Sequence, residues 1–473
     1  MTHMSTASDA LGARSFPLAI SSLAIIGFVS VLVGTVTSMA LTTLSGAFGA
    51  STSVIVWVTT AYLLAAGLTL PVAGWAVDRF GARPVLLVGV GIFAVGSLAS
   101  GLANSIELLL LSRALQGLGG GVLEPACLAL ISRITERQRI GTVMGVMAAV
   151  INIAPAVGPL VGAALLSWTG WQGVFFFAVP PVIVAVLLLA VSLRRHEASD
   201  ASGDDTAKAE QLDAAGLALL GVGFAALLLA FAQVGEDTLW LAAIAGVGGV
   251  VLLAAYVRRA LRIDEPVVNP RLFMDRKFSG AVAIMGAGGV LTFSVLTLAP
   301  MLAERVWNLE GIAFAMPLGA FGLGMLVSMS ISGAVSDRIG PRPIVTVGAA
   351  GAAVCLAGLA VLTPGLTAPA ITGPLLLGVT GVAFGTVSAP TFASIYRILP
   401  RASVGRGTTA ALIAVQLGAA LGVTSIGALI DALGDVAFVV VPALLAVIMF
   451  AVAVIARFTL PVRASAGSPA GPV

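Results

Sequence analysis

Away from the ends of the apolar runs, two ionisable side chains, Arg113 and Glu124, stand inside one of them, residues 106–131. Charge in hydrocarbon is costly, so each is a functional candidate. They are eleven residues apart. A helix turns about 100° per residue, which brings the two within roughly 20° of one face and about 16 Å apart along the axis. Gln116, Gly117 and Gly120 fall on the same stripe. Lipid cannot accept such a track, so it faces a central cavity or a neighbouring helix. A carboxyl that is neutral in one access state and ionised in another is what proton coupling requires, and Glu124 is the candidate. The competing reading is a local hydrogen-bond network near the helix end, where Pro125 frees a carbonyl of the preceding turn. Gln116 is placed to hold whatever Arg113 contacts. Asn152, Tyr62 and, more weakly, Gln416 are further candidates for proton coupling or substrate binding.

Other chemistries lack their residues. His3 and His196 sit in polar segments, and Cys127 and Cys355 lie in separate apolar runs. The thiols therefore read as small core residues, and neither a metal site nor a disulfide is expected. No nucleotide loop and no nucleophile–base set is present. The expectation is a protein that is not an enzyme and takes no cofactor, with a proton gradient as its energy source. A membrane sensor or scaffold has no soluble domain here to support it.

Composition says what surrounds these groups. Of 473 residues, 59% are hydrophobic and 10% charged, against about 25% charge in an ordinary soluble domain. Most of the exterior must face lipid. The net charge of +3 is small and its basic residues are spread over many loops, so nucleic acid is not an expected partner.

A span needs roughly 20 apolar residues. Fourteen runs qualify, near 17–45, 53–77, 84–103, 106–131, 141–167, 173–193, 214–234, 238–257, 279–303, 311–335, 344–363, 369–396, 407–430 and 436–459. Backbone donors cannot stay unpaired in lipid, so the runs are helices. The first run lacks a small-residue cleavage site and is expected to be a retained helix, with no signal peptide. If the N-terminus is cytoplasmic, every one of the 24 basic residues except Arg113 and Arg305 falls in a cytoplasmic segment. That asymmetry puts both ends inside.

The organisation follows: a cytoplasmic tail (1–16), a six-helix half (17–193), a linker (194–213), a helix pair (214–257), a second linker (258–278), a second six-helix half (279–460) and a tail (461–473). The first linker is rich in Asp, Ser, Ala and Gly and reads as flexible. The second ends in a basic-aromatic cluster suited to lying along lipid headgroups. The fold class is all-α membrane protein, with fourteen transmembrane helices in two pseudo-symmetric halves around a central pair.

One loop occurs twice. Gly74-Trp75-Ala76-Val77-Asp78-Arg79-Phe80-Gly81-Ala82-Arg83-Pro84 recurs as Gly333-Ala334-Val335-Ser336-Asp337-Arg338-Ile339-Gly340-Pro341-Arg342-Pro343. A repeat flanked by spans in each half is the mark of transporter architecture. Both copies resemble motif A of the major facilitator superfamily. Leu111 to Gly121 is similar to that family's motif B, and Pro155-Ala156-Val157-Gly158-Pro159-Leu160-Val161-Gly162 to its antiporter motif C, with Ala154 and Ala163 in place of outer glycines. Trp57 to Tyr62 and Glu265 to Phe273 resemble the run-ins to the second and ninth helices of the 14-helix drug:proton antiporter branch.

The resemblance implies roles. In motif A, Gly74, Asp78, Arg79, Gly81 and Arg83, with Gly333, Asp337, Arg338, Gly340 and Arg342, would latch the cytoplasmic side, an Asp meeting a helix N-terminus or an Arg of a neighbouring helix. Pro155, Gly158, Pro159 and Gly162 of motif C would seal the outer side, which favours export. Arg113 would take part in proton transfer through the first helix, or else hydrogen-bond first-helix carbonyls. One departure stands out. The branch has an acid in the first helix, and Val33 occupies that place within Leu32 to Leu41.

The expected function is efflux of lipophilic small molecules of drug or antibiotic type, by alternating access and proton antiport. Two alternatives are a lipid or specific-metabolite exporter of the same fold, and a proton-independent facilitator, suggested by Val33. The expected partners are the substrate, protons and the bilayer. The expected setting is a bacterial plasma membrane, with the chain as a monomer.

Overall fold

The computed structural model describes residues 15–135, 140–193, 213–232, 239–263, 266–309, 312–362, 372–399 and 404–462. Among them there is no strand, and most are helical. In order, the helices are α1 (Ser15–Ser38), α2 (Leu41–Phe48), α3 (Thr52–Ile55), α4 (Trp57–Phe80), α5 (Ala82–Gly101), α6 (Ile106–Ile134), α7 (Ile140–Phe176), α8 (Val179–Leu193), α9 (Ala214–Ala232), α10 (Leu239–Ala260), α11 (Arg276–Arg305), α12 (Ile312–Ile339), α13 (Pro341–Leu362), α14 (Thr372–Ile398), α15 (Val404–Leu433) and α16 (Ala437–Thr459).

Fourteen of these helices have 15 residues or more, and each answers to one of the apolar runs. Ten stretches pass individually as membrane spans, the last of which, Gly407–Thr459, holds both α15 and α16. The pair Leu160–Phe176 and Val179–Val191 meets the test jointly, bent by 48°, and α9 is a shorter apolar helix. The chain is a multi-pass membrane protein. One run breaks where the sequence suggested continuity: the first divides after Ser38 into α1 and α2. The interruption of α7 at Gly170 (φ 70°, ψ −171°) falls between the expected runs 141–167 and 173–193.

Helix ends follow local chemistry. The Ser105 hydroxyl oxygen accepts from the Leu108 N–H at the start of α6, and Asp275 Oδ1 accepts from the Lys277 N–H at the start of α11. These satisfy donors that a helix leaves unpaired in its first turn. The repeated loop repeats in three dimensions. Gly81 ends α4 and Gly340 ends α12, both at φ 87°, a region an L side chain adopts only under strain.

By internal contacts the chain divides into two units. The first is Met1–Tyr256 with Val423–Ala432, and the second Val257–Gly422 with Leu433–Val473. In the first unit α6 packs closely on α4 and α5, and α1 packs on α7 and α8. In the second, α14 packs on α12 and α13, and α13 also on α16.

Small residues make these contacts possible. A Cβ on Gly117 would meet the Tyr62 carbonyl, one on Gly121 the Ala66 backbone, and one on Gly119 the Phe93 backbone. The second unit repeats the scheme: Gly381 faces the Phe321 backbone and Gly385 the Met325 backbone. Without a hydrophobic drive between helices in lipid, such backbone approach supplies the association energy.

Candidate functional site

Arg113 lies on α6 and is completely buried. Its Nε donates to the carbonyl of Val58 on α4 at 2.9 Å, and its Nη1 donates to Gln116 Oε1. Gln116, also fully buried, passes the chain on: its Nε2 donates to Ser97 Oγ at 2.9 Å, and Ser97 donates to the Phe175 carbonyl at 2.7 Å. The guanidinium stacks on Tyr62, 4.5 Å from the ring centroid, with Phe175 at 5.7 Å. Cation–π attraction gains strength in a dry site such as this. Nη2 is buried without a hydrogen-bond partner among the described residues.

Tyr62 links this cluster to α1, its hydroxyl donating to the Ser30 carbonyl at 2.9 Å. Arg113 thus binds an α4 carbonyl directly, where the sequence reading considered the first helix. Its connection to α1 runs through the ring and hydroxyl of Tyr62. The reason is steric: Gly117 and Gly121 bring α6 against the α4 backbone, so α4 carbonyls come within reach first. On α1, Val33 is fully buried and offers no charge to pair with Arg113.

Glu124 is on α6 beyond Gly120 and Gly121, and it is half-buried. The Tyr62 hydroxyl lies close to Gly120, about one turn away. The helix therefore carries a sealed cation at one level and a partly exposed acid at another, with Tyr62 between them.

The motif C glycines bind α7 to α1. A Cβ on Gly158 would strike the Thr35 side chain, and one on Gly162 would sit 3.0 Å from Met39 Cβ and 3.1 Å from the Val36 carbonyl. In motif A, Arg79 is exposed beside the Phe80 ring and Arg83 is half-buried. The resemblance implies a close approach at Gly74, yet Gly74 and Gly333 both have open space where a Cβ would go. In the second copy Arg338 is exposed, while Arg342 Nε donates to the Leu460 carbonyl at 2.6 Å, at the C-terminal end of α16. A cation there meets unpaired carbonyls and the negative end of the helix dipole. Gln416, on α15 in the second unit, is half-buried. The side chains of Asp78, Asp337, Asn152, Pro155 and Pro159 lie outside the described part of the structure.

Four participants escaped the sequence reading. Val58 contributes only a carbonyl, which carries no side-chain signal. Ser97 and Phe175 come from other spans. Asp431 is an acid at a span end. It is exposed, yet its Oδ2 accepts from the backbone N–H of Ser53 at 2.8 Å, within the first unit. Beside it, Thr60 and Thr424 share a hydroxyl–hydroxyl bond of 3.0 Å, and a Cβ on Gly427 would lie 3.0 Å from Ser53 Cα.

Fourteen long apolar helices among the described residues, a loop that recurs with the same backbone, and a buried cation with a partly exposed acid further along its helix define a membrane transport protein. The sequence comparison places it more narrowly. A profile of the Major Facilitator Superfamily matches residues 23–423, and the chain belongs to that family. It is similar to the Multidrug resistance protein B homolog of Mycobacterium tuberculosis (strain ATCC 25618 / H37Rv), with 31% identity over 395 residues, 82% of this chain and 71% of the relative. It is also similar to the Multidrug transporter protein MdtP of Bacillus subtilis (strain 168), with 26% identity covering 88% of this chain and 75% of the relative. Among solved structures a D-xylose-proton symporter aligns over 95% of this chain and 99% of its own, with a TM-score of 0.66 and 15% identity. That likeness supports the fold alone.

Proposed function

We propose that the chain is a secondary active exporter of lipophilic small molecules, working by alternating access and proton antiport. The names of the relatives support drug efflux. The observation in the structure that carries the coupling is Glu124, a half-buried acid in an apolar helix, near Tyr62 and on the same helix as Arg113. Substrate enters a largely apolar path, and Glu124 takes up a proton in one access state and releases it in the other. Few charges line such a path, so neutral or weakly charged compounds fit it better than organic dications.

The remaining parts of this reading are organisational. Residues 17–193 and 279–460 form the two six-helix halves, with 214–257 as an inserted pair. Both ends lie in the cytoplasm of a bacterial plasma membrane, supported by the distribution of Arg and Lys. The motif A loops act as latches on that side, and motif C closes the outer side through the α1–α7 seam. The chain works as a monomer.

Transport into proteoliposomes, with and without a pH gradient, tests the coupling. Wild type responds to the gradient. Glu124→Gln loses that response while retaining substrate exchange at equal pH. If the variant keeps a full response, Glu124 is not the proton site. A second reading, uniport, is favoured by the fully buried Val33 at the place of the related acid. It wins if wild-type transport ignores the gradient.

A further inference from the structure

The connection from α10 to α11 lies wholly within the second unit. Residues 258–277 contain six basic side chains, Arg258, Arg259, Arg262, Arg271, Arg276 and Lys277, against Asp264, Glu265 and Asp275. All six basic residues are exposed. Transport as derived above uses none of them.

The segment is an ordered structure. Pro270–Met274 forms a short 3-10 turn, capped by Asn269 Oδ1, which accepts from the Arg271 N–H at 3.0 Å. Arg271 Nη2 donates to the Leu261 carbonyl at 3.0 Å, folding the two ends of the connection together. That bond brings the cations after α10 toward those that open α11. Phe273 packs edge-on against buried Phe278, with centroids 5.3 Å apart, and the Ser279 hydroxyl donates to the Phe273 carbonyl at 2.5 Å. Among the described residues of the connection, the acid Asp275 is engaged at the Lys277 N–H.

This fixed turn presents apolar side chains outward among the cations. Met274 is 82% exposed and Phe273 37%. Water gives no reason to hold a methionine in that position. The preceding helix, α10, is covered by protein over only 17% of its apolar window, so its end delivers the cluster to the edge of the hydrocarbon. Apolar tips beside a ring of cations match a phospholipid interface, where the tips enter the acyl boundary and the cations meet phosphates.

We infer that residues 258–263 and 266–277 form a binding site for an anionic phospholipid, held by Arg262, Arg276 and Lys277 at the headgroup and by Met274 and Phe273 in the acyl region. Free phosphate shares the headgroup chemistry but offers nothing to Met274, so the lipid is the occupant. The leaflet follows from the orientation proposed above. Binding itself does not depend on export or on proton coupling.

The full chain in nanodiscs of phosphatidylcholine mixed with a minority of phosphatidylglycerol provides the test. Native mass spectrometry reads the lipid retained on the released protein, and amide exchange reads residues 266–277. Wild type keeps phosphatidylglycerol above its bulk share. Each neutralised cation lowers that preference by about fivefold at most, the worth of one basic residue at an anionic surface. Arg262→Gln/Arg276→Gln/Lys277→Gln removes the preference, and Met274→Ser weakens it with the charge unchanged. Arg305→Gln, at the far end of α11, leaves it intact. An unchanged preference in the triple variant overturns the inference, as does displacement of the lipid by inorganic phosphate. Both readouts are independent of transport, so failure here leaves the proposed function standing.

Discussion

The Arg113 guanidinium lies over the Tyr62 ring at 4.5 Å, and the hydroxyl of that ring donates to the Ser30 carbonyl of α1. One aromatic side chain thus holds a buried cation on its face and a neighbouring helix at its tip. The two functions separate by substitution. Tyr62→Phe keeps the face and loses about 1 kcal/mol of hydrogen bonding, so thermal unfolding in detergent shifts modestly and transport persists. Tyr62→Leu removes the face as well and leaves Arg113 against an aliphatic group. Transport in everted vesicles then falls far below the Phe variant. Equal behaviour of Phe and Leu would show that the stacking contributes nothing.

Arg113 also bonds Val58 and Gln116 at once through different guanidinium nitrogens. A lysine cannot span both, being a compact point charge without the planar fork. Arg113→Lys is expected to lose transport despite keeping the charge. The Arg113–Gln116 pair is in direct contact, so a double-mutant cycle with Gln116→Leu departs from additivity by roughly 0.5–3 kcal/mol. Additive effects on stability would mean the two side chains act separately.

Glycines divide by the space around them. Gly117 and Gly121 face the α4 backbone, while Gly74 and Gly333 face open space. Alanine at either of the first two forces α4 and α6 apart, and folded yield in the membrane drops sharply. Alanine at Gly74 or Gly333 leaves folding intact. Size-exclusion profiles of the four purified variants decide the matter. Normal folding of Gly121→Ala would contradict the packing described.

Asp431 accepts from the Ser53 N–H as the chain enters α3. Asp431→Ala leaves that donor to solvent, and amide exchange in residues 51–56 quickens. Asn retains an acceptor oxygen, so Asp431→Asn exchanges close to wild type. No change in the Ala variant would mean the contact is not maintained in the membrane.

The spans and the repeated loop were legible because each has a sequence signature of its own. Apolar runs are visible as such, and Gly81 and Gly340 recur in matching contexts with the same φ. Arg113 and Glu124 were visible because charge is rare among apolar residues. Their surroundings were not. The Val58 carbonyl is common to every residue, and Ser97 and Phe175 reach the cluster from spans that no local pattern connects. The Ser53 contact of Asp431 did not show, because an acid at a span end looks the same whether it meets water alone or a backbone donor as well. Gly74 was over-read: the motif suggested close approach, and the helix face there is open.

The α9–α10 pair is seamed to itself by Gly223 and Gly249, whose would-be Cβ atoms meet Leu252 and Leu227 across the hairpin, and Gly221 abuts Leu68 of α4. Outwardly it shows Trp240, Val247 and Val250. A hairpin with a seam of its own can be exchanged as one block, provided the α4 face around Leu68 is filled again. It also gives engineers a handle: a reporter grafted between these two helices would ride on the transporter without entering its machinery.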